Sequence, residues 1–226
     1  MDSRDIKRVT IFAGHYGSGK TNIALNYALN AKKFKTDVAI ADLDIVNPYF
    51  RTKDSEEILK ENNIRLISSP YANSNVDTPA LPAEAYSVIH NKDICSIIDV
   101  GGDDRGALAL GRYMPEILKE DAYEMIFVIN KYRYLTSTAE DTVAIMKEIE
   151  TAAKAKFTSI VNNSNIGEET TAQDVLNSVE YANKVSSLSG LEIKMTTVKS
   201  DLINELGGEI DNLFPINLYV RQSWLR

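Results

Sequence analysis

The sequence predicts one doubly wound α/β domain, in which helices cover both faces of a mostly parallel sheet. Short apolar strand segments alternate with helical stretches along the whole chain, and most of these strands are apolar on both faces. No linker, internal repeat or low-complexity tract divides the 226 residues, which are enough for one large core. We therefore expect residues 1–226 to form a single domain, with ligands where the C-terminal ends of the strands meet the helices.

The elements are predicted from short apolar runs and from helical stretches with an apolar face. The first strand covers residues 8–13, and a helix with a broad apolar face follows from Lys20 to about Lys33. The other predicted strands are 37–41, 64–68, 94–100, 124–130, 157–161 and a weaker one at 192–198. The other predicted helices lie near 82–91, 137–154, 171–187 and 200–206.

Composition excludes several classes of function. The net charge of −7 argues against broad, charge-driven binding to DNA or anionic membranes, so we expect no nucleic-acid partner. With Cys95 as the one cysteine and His15 and His90 as the two histidines, the chain can form neither an internal disulfide nor a Cys/His zinc site alone. No signal peptide and no apolar run of membrane-spanning length is present, which predicts a cytoplasmic protein without stable membrane insertion.

A phosphate-binding loop is the strongest motif. Residues 14–21 read GHYGSGKT and match G-x-x-x-x-G-K-[ST] between a predicted strand and a predicted helix. The glycines let backbone N–H groups turn toward phosphate oxygens, and the helix N-terminus adds partial positive charge. Lys20 would reach the β- and γ-phosphates, and the Thr21 hydroxyl would bind Mg²⁺. The motif predicts a nucleotide site.

Two further segments place acids at the ends of predicted strands. In VAIADLDIVNPYF the strand ends at Asp42 and is followed by Asp44, and in IIDVGGDDRG an apolar strand ends at Asp99. An acid that closes a buried strand beside a phosphate loop commonly holds Mg²⁺ or its waters. Gly102, three residues after Asp99, could present its backbone N–H to the γ-phosphate. We therefore expect Thr21 and Asp99 at the metal.

Together these residues resemble the MinD/ParA-like ATPases, a group that includes ArsA, the nitrogenase iron protein and the CobQ/CobB-type nucleotide-binding domains. The specific motifs cover about residues 8–51, 95–104 and 158–163. The resemblance implies that Asp44 orients or activates the attacking water and that Asp42 supports the Mg²⁺ shell. It also implies an unidentified protein partner and a nucleotide-dependent homodimer.

His15 departs from this family pattern. Many members carry a signature lysine directly after the first glycine of the loop, which reaches the partner's nucleotide across a dimer, but this chain has His15 there. Arg105, which follows Gly101 and Gly102, could take the place of this missing lysine. Metal-cluster carriers of the group use cysteine pairs, and with Cys95 alone we expect no metal cluster.

The base is predicted to be adenine. Asn130 and Lys131 fit the guanine-specifying N-K-x-D motif, but Arg133 replaces the acid that would accept the guanine N–H groups. The resembled group meets adenine with an asparagine after the next strand, which implies Asn162, with Asn163 beside it. The predicted nucleotide-contacting residues are Gly14, His15, Tyr16, Gly17, Ser18, Gly19, Lys20, Thr21, Asn22, Gly102 and Asn162.

Two functions remain open at this point. The first is a slow, Mg²⁺-dependent ATPase in which ATP orders residues 44–53 and 100–106 to act on a protein partner, with Lys20 and Asp44 as catalytic residues. The second is a small-molecule kinase or ATP-dependent synthetase of the dethiobiotin synthetase or CobB type, for which residues 68–86 could form the substrate pocket. The C-terminal residues 212–226 are expected to pack against the body or a partner.

Overall fold

The computed structural model describes residues 5–43, 55–67, 86, 89–102, 104–119 and 123–219. Within these residues, eight parallel strands form one sheet in the order β3-β2-β4-β1-β5-β6-β7-β8, which confirms the predicted α/β architecture. The strands are β1 Val9–Ala13, β2 Val38–Asp42, β3 Arg65–Ile67, β4 Cys95–Asp99, β5 Tyr123–Ile129, β6 Ser159–Asn162, β7 Ile193–Lys199 and β8 Leu213–Ile216.

Helices cover both faces of this sheet. Those of the described residues are α1 Lys20–Lys32, α2 Glu56–Glu61, α3 Asp104–Gly111, α4 Met114–Ile117, α5 Ala139–Ala153, α6 Ala172–Asn177, α7 Val179–Ser189 and α8 Ile203–Leu206. Helices α1 and α2 contribute to the core on one face, and α3, α4, α5 and α7 to the core on the other. Successive residues of β1 face opposite sides of the sheet. Phe12 packs in the core with α1 and α2, and Ile11 packs in the core with α3, α4, α5 and α7.

The structure differs from the predicted elements: helices α2, α3 and α4 and strand β8 were not predicted, and one predicted helix is divided. The single helix expected at 171–187 is divided at Ser178, whose hydroxyl donates to the carbonyl of Val175 and accepts from the Asn162 amide, 2.9 Å away. The last strand, β8, was not predicted, because the apolar segment 212–226 was considered only as a helix, whose pattern Pro215 interrupts. Pro215 lacks an N–H group and is tolerated here because β8 lies at the edge of the sheet.

The strand order determines which segments surround the phosphate loop. Strand β1, which leads into the loop, has β4 on one side and β5 on the other. The loops after β4, β5 and β6 therefore meet the phosphate loop at the C-terminal edge of the sheet. Most of the predicted helix at 82–91 and nearly all of the segment 68–86 lie outside the described residues.

Candidate functional site

The phosphate loop joins β1 to α1 in the position that the motif predicts. Gly17 and Gly19 have φ angles of +75° and +88°, a region that residues with a Cβ rarely adopt. A Cβ on Gly19 would also collide with the side-chain amide of Asn163. Ser18 N donates to His15 O over 3.1 Å and closes the loop.

Lys20 lies inside this loop. It is the first residue of α1, it is 7% exposed, and its Nζ donates to the carbonyl of His15 at 3.1 Å. Gly102, from the loop after β4, packs against the same place: a Cβ there would lie 2.5 Å from the Tyr16 Cα and 3.0 Å from the Lys20 Nζ. The predicted γ-phosphate sensor therefore touches the phosphate loop itself.

The predicted metal ligands also come together. Thr21 Oγ1 donates to Asp99 Oδ2 at 2.7 Å, and Asp99 is 2% exposed at the end of β4. Asp42, also buried, ends β2 and pairs in register with Asp99. A hydroxyl and two carboxylates are hard oxygen ligands, so this donor set fits Mg²⁺.

Some predicted site residues are not described. Asp44 and the whole segment 44–53 that ATP is expected to order lie outside the described part of the chain, as does the side chain of Arg105. The roles assigned to them stay predictions. The same holds for residues 220–226 of the C-terminal segment.

The Asn162 side chain is held by hydrogen bonds at both ends of its carboxamide. Asn162 is fully buried, its Nδ2 donates to Ser178 Oγ at 2.9 Å, and its Oδ1 accepts from Ser164 Oγ at 2.7 Å. Because both ends of the carboxamide are bonded within the protein, this arrangement does not support the predicted adenine contact. Asn162 instead holds the loop after β6 to the break between α6 and α7.

Asn163 braces the phosphate loop. Its Nδ2 donates to Ser18 O at 2.6 Å, and its Oδ1 accepts from the hydroxyl of Thr197 on β7. The sequence analysis named Asn163 only as a neighbour of Asn162 and did not name Thr197. The sequence signal for Asn163 is its position directly after a buried strand. No sequence pattern singles out Thr197.

The partial N-K-x-D motif has a structural role here. Asn130 is 1% exposed; its Nδ2 donates to Asn165 O at 3.1 Å and its Oδ1 accepts from Tyr132 N at 2.9 Å. Lys131 Nζ donates to Asn177 O at 2.7 Å. Both side chains tie the loop after β5 to neighbouring segments.

The C-terminal segment reaches the start of α1. Asn22 Oδ1 accepts from Tyr219 N at 2.9 Å, and Asn26 accepts from Asn217 N at 2.9 Å while donating to Asn217 O at 2.8 Å. The described part of this segment thus packs against the body, as expected. A shallow cleft lies beside it, lined by Asn163, Asn165, Gly167, Thr170, Val175, Thr197, Val198, Lys199, Ile216 and Leu218.

Similar solved structures include a signal recognition particle protein and two FtsY proteins. The signal recognition particle 54 kDa protein of Aeropyrum pernix K1, solved in complex with GDP, matches with a TM-score of 0.58 and 17% identity over 86% of this chain. FtsY of Mycoplasma mycoides matches with 0.53 and 20% over 84%, and chloroplast FtsY of Physcomitrella patens with 0.57 and 16% over 83%.

These similarities establish the P-loop NTPase fold. The chain spans 42% of the length of the signal recognition particle protein, 59% of the Mycoplasma FtsY and 57% of the chloroplast FtsY. No protein-family model and no curated protein matches the sequence. Among the described residues, no helix is both long and apolar enough to cross a membrane.

Proposed function

We propose that this chain is a slow, Mg²⁺-dependent ATPase that acts as a switch on a protein partner. The observation that carries the proposal is the contact of 2.7 Å between the Thr21 hydroxyl and the Asp99 carboxylate, directly below the phosphate loop. This contact joins the two motifs that hold the metal and its nucleotide in P-loop proteins. The contact can form only when the phosphate loop and α1 lie next to the C-terminal end of β4.

The residues have separate roles in this proposal. Lys20 would exchange its bond to the His15 carbonyl for the β- and γ-phosphates, while the backbone N–H groups of the loop bind phosphate oxygens. Thr21, Asp42 and Asp99 would hold Mg²⁺ directly or through water, and the ion would neutralise phosphate charge. Asp44 would orient the attacking water.

Adenine is the base that the site supports best. Asn130, which would read guanine in a complete N-K-x-D motif, has both ends of its carboxamide bonded to neighbouring backbone, and Arg133 stands where the acid would be. GTP is the second candidate, because a similar solved structure is a complex with GDP. A direct comparison of ATP and GTP affinities decides between them.

The contact of Gly102 with the loop supports the switch. Gly102 packs on Tyr16 and lies beside the Lys20 ammonium, so a γ-phosphate at Lys20 would meet this segment directly.

Within the P-loop class we assign the chain to the MinD/ParA-like group without the signature lysine. The His15 ring Nδ1 lies 2.9 Å from Tyr16 O, within its own loop.

The first test is binding and hydrolysis of Mg²⁺-ATP and Mg²⁺-GTP by wild type and by Lys20→Ala. Lys147→Ala, an exposed lysine on α5, is the matched control. We expect wild type and the control to bind ATP more tightly than GTP and to hydrolyse it slowly. Lys20→Ala should lose at least about 2 kcal/mol of binding free energy, because a charged hydrogen bond is removed.

Light scattering with ATP and with ADP completes the test, because an ATP-dependent increase in mass would support the homodimer. Equal binding by wild type and Lys20→Ala would contradict the nucleotide site. Tighter binding of GTP would replace ATP in the proposal. A protein that binds ATP but turns it over only when a small acceptor molecule is added would favour the kinase or synthetase alternative.

A further inference from the structure

Arg133 packs on the phosphate loop. It lies in the loop after β5, and a Cβ on Gly17 would be 3.3 Å from its Nε, 3.5 Å from its Cζ and 3.6 Å from its Cδ. Gly17, the fourth residue of the loop motif, therefore lies directly beneath the guanidinium. The φ of +75° favours glycine at position 17, and a Cβ there would be in tight contact with the Arg133 side chain.

Among the residues that the structure describes, the guanidinium has no counter-charge. Its Nε is buried and lacks a hydrogen-bond partner, and no carboxylate among the described residues forms an ion pair with it. A buried donor on a permanent cation costs free energy unless an acceptor, preferably an anionic one, is supplied. One buried N–H donor of this cation therefore lies beside the phosphate loop without an acceptor among the described residues.

The backbone holds Arg133 in this place. Arg133 N donates to Asn130 O at 3.3 Å, and Arg133 O accepts from Thr136 N at 3.0 Å. The preceding residue, Tyr132, is anchored through its hydroxyl to Asp174 O at 2.7 Å. Because the backbone is fixed, only the side-chain torsions of Arg133 remain to be ordered when a ligand binds.

Arg133 approaches the loop from the side opposite the metal ligands. Asp99 and Gly102 come from β4 and the loop after it, whereas Arg133 comes from β5, and β1 lies between these two strands. Lys20 and the metal ligands thus surround the β4 side, and Arg133 supplies positive charge on the β5 side. A planar guanidinium can donate two parallel hydrogen bonds to phosphate oxygens.

We propose that Arg133 is a second phosphate-binding cation of this site, whose guanidinium pairs with the nucleotide's phosphates from the β5 side of the loop. This inference rests on the proposed function. The residue that breaks the N-K-x-D motif then has a positive role: in place of an acid that reads a base, it supplies charge to the phosphates. It is a binding residue and takes no part in activating water.

The test is the affinity for Mg²⁺-ADP at low and at high salt, measured for wild type, Arg133→Gln and Arg133→Lys. Arg133→Gln removes the charge, and we expect a loss of affinity of about tenfold to a hundredfold at low salt. The loss should shrink at high salt, because a charge–charge contact at a partly exposed site is screened. Arg133→Lys, which keeps the charge without the fork, should lose less.

Arg112→Gln is the matched control, because Arg112 is exposed after α3, at the end of the sheet away from the loop. Equal affinity of Arg133→Gln and wild type, or a loss that does not change with salt, would overturn the inference. Lys20→Ala distinguishes a failure of the Arg133 inference from a failure of the proposed function. If wild type binds and Lys20→Ala does not, the nucleotide site stands whatever Arg133 does; if wild type binds no nucleotide, the proposed function fails first.

Discussion

On the β4 side of the phosphate loop, the groups assigned to chemistry touch the loop or one another directly, as the contact between Thr21 and Asp99 and the packing of Gly102 on Tyr16 illustrate. On the β5 side, the Asn163 side chain braces the phosphate loop through Ser18 O, and the Asn130 side chain ties the loop after β5 to Asn165 O. One side is therefore arranged for the metal and the γ-phosphate. The other is a scaffold on which Arg133 is the cation without an internal partner among the described residues.

The largest effect should follow from the β4 side. Asp99→Asn keeps the size of the side chain but removes the charge that would hold Mg²⁺, and we expect hydrolysis to fall by about a hundredfold or more. Binding of nucleotide without Mg²⁺ should change much less. Steady-state hydrolysis against Mg²⁺ concentration measures this effect, and Asp211→Asn, at an exposed position, is the control. Normal turnover in Asp99→Asn would remove Asp99 from the metal site.

The β5 side should respond mainly in stability. Asn163→Ala leaves the Ser18 carbonyl and the Thr197 hydroxyl without their partner in the interior, so we expect a loss of about 2–3 kcal/mol in the free energy of unfolding. Urea unfolding measures it. Asn204→Ala, an exposed asparagine on α8, should change stability by less than about 0.5 kcal/mol. If Asn163→Ala is as stable as wild type, Asn163 does not brace the loop.

Gly102→Ala tests whether the segment after β4, residues 100–106, must lie against the phosphate loop. The new methyl group would lie 2.5 Å from the Tyr16 Cα, so the segment has to move away, and nucleotide affinity should fall by about tenfold. Gly207→Ala is the matched control, since a Cβ there would meet its nearest neighbour at 3.8 Å. Equal affinities for the two variants would show that Gly102 can leave the loop without consequence.

The smallest effect belongs to neither side and provides a baseline. Burial raises the pKa of the Cys95 thiol in β4 from 9.0 to about 11. The unfolded chain therefore loses this proton at lower pH than the folded one, and stability falls as pH rises above about 9. Between pH of about 8 and 9.5, unfolding of wild type should lose roughly 1 kcal/mol that Cys95→Val does not lose. Parallel pH curves for the two proteins would contradict this assignment.

Local patterns in the sequence were enough for the β4 side and for the architecture. Apolar strands alternating with helices predict a parallel sheet, and a phosphate loop between a strand and a helix, together with acids at strand ends, predicts which groups converge at one edge. These features depend only on neighbouring residues and on the periodic spacing of apolar residues along the sequence. The edge strand β8 was not predicted, because its segment was considered only as a helix, which Pro215 interrupts. An edge strand tolerates this proline.

Only the tertiary structure decided what the β5 side does. Asn162 and Asn163 are adjacent and chemically identical, yet one is bonded to Ser178 and Ser164, and the other to the phosphate loop and Thr197. Successive strand residues face opposite directions, so their partners depend on which distant segments pack on each face. In the same way, the sequence by itself determined that Arg133 breaks the N-K-x-D motif. Its position over Gly17 follows from the packing of two loops more than a hundred residues apart.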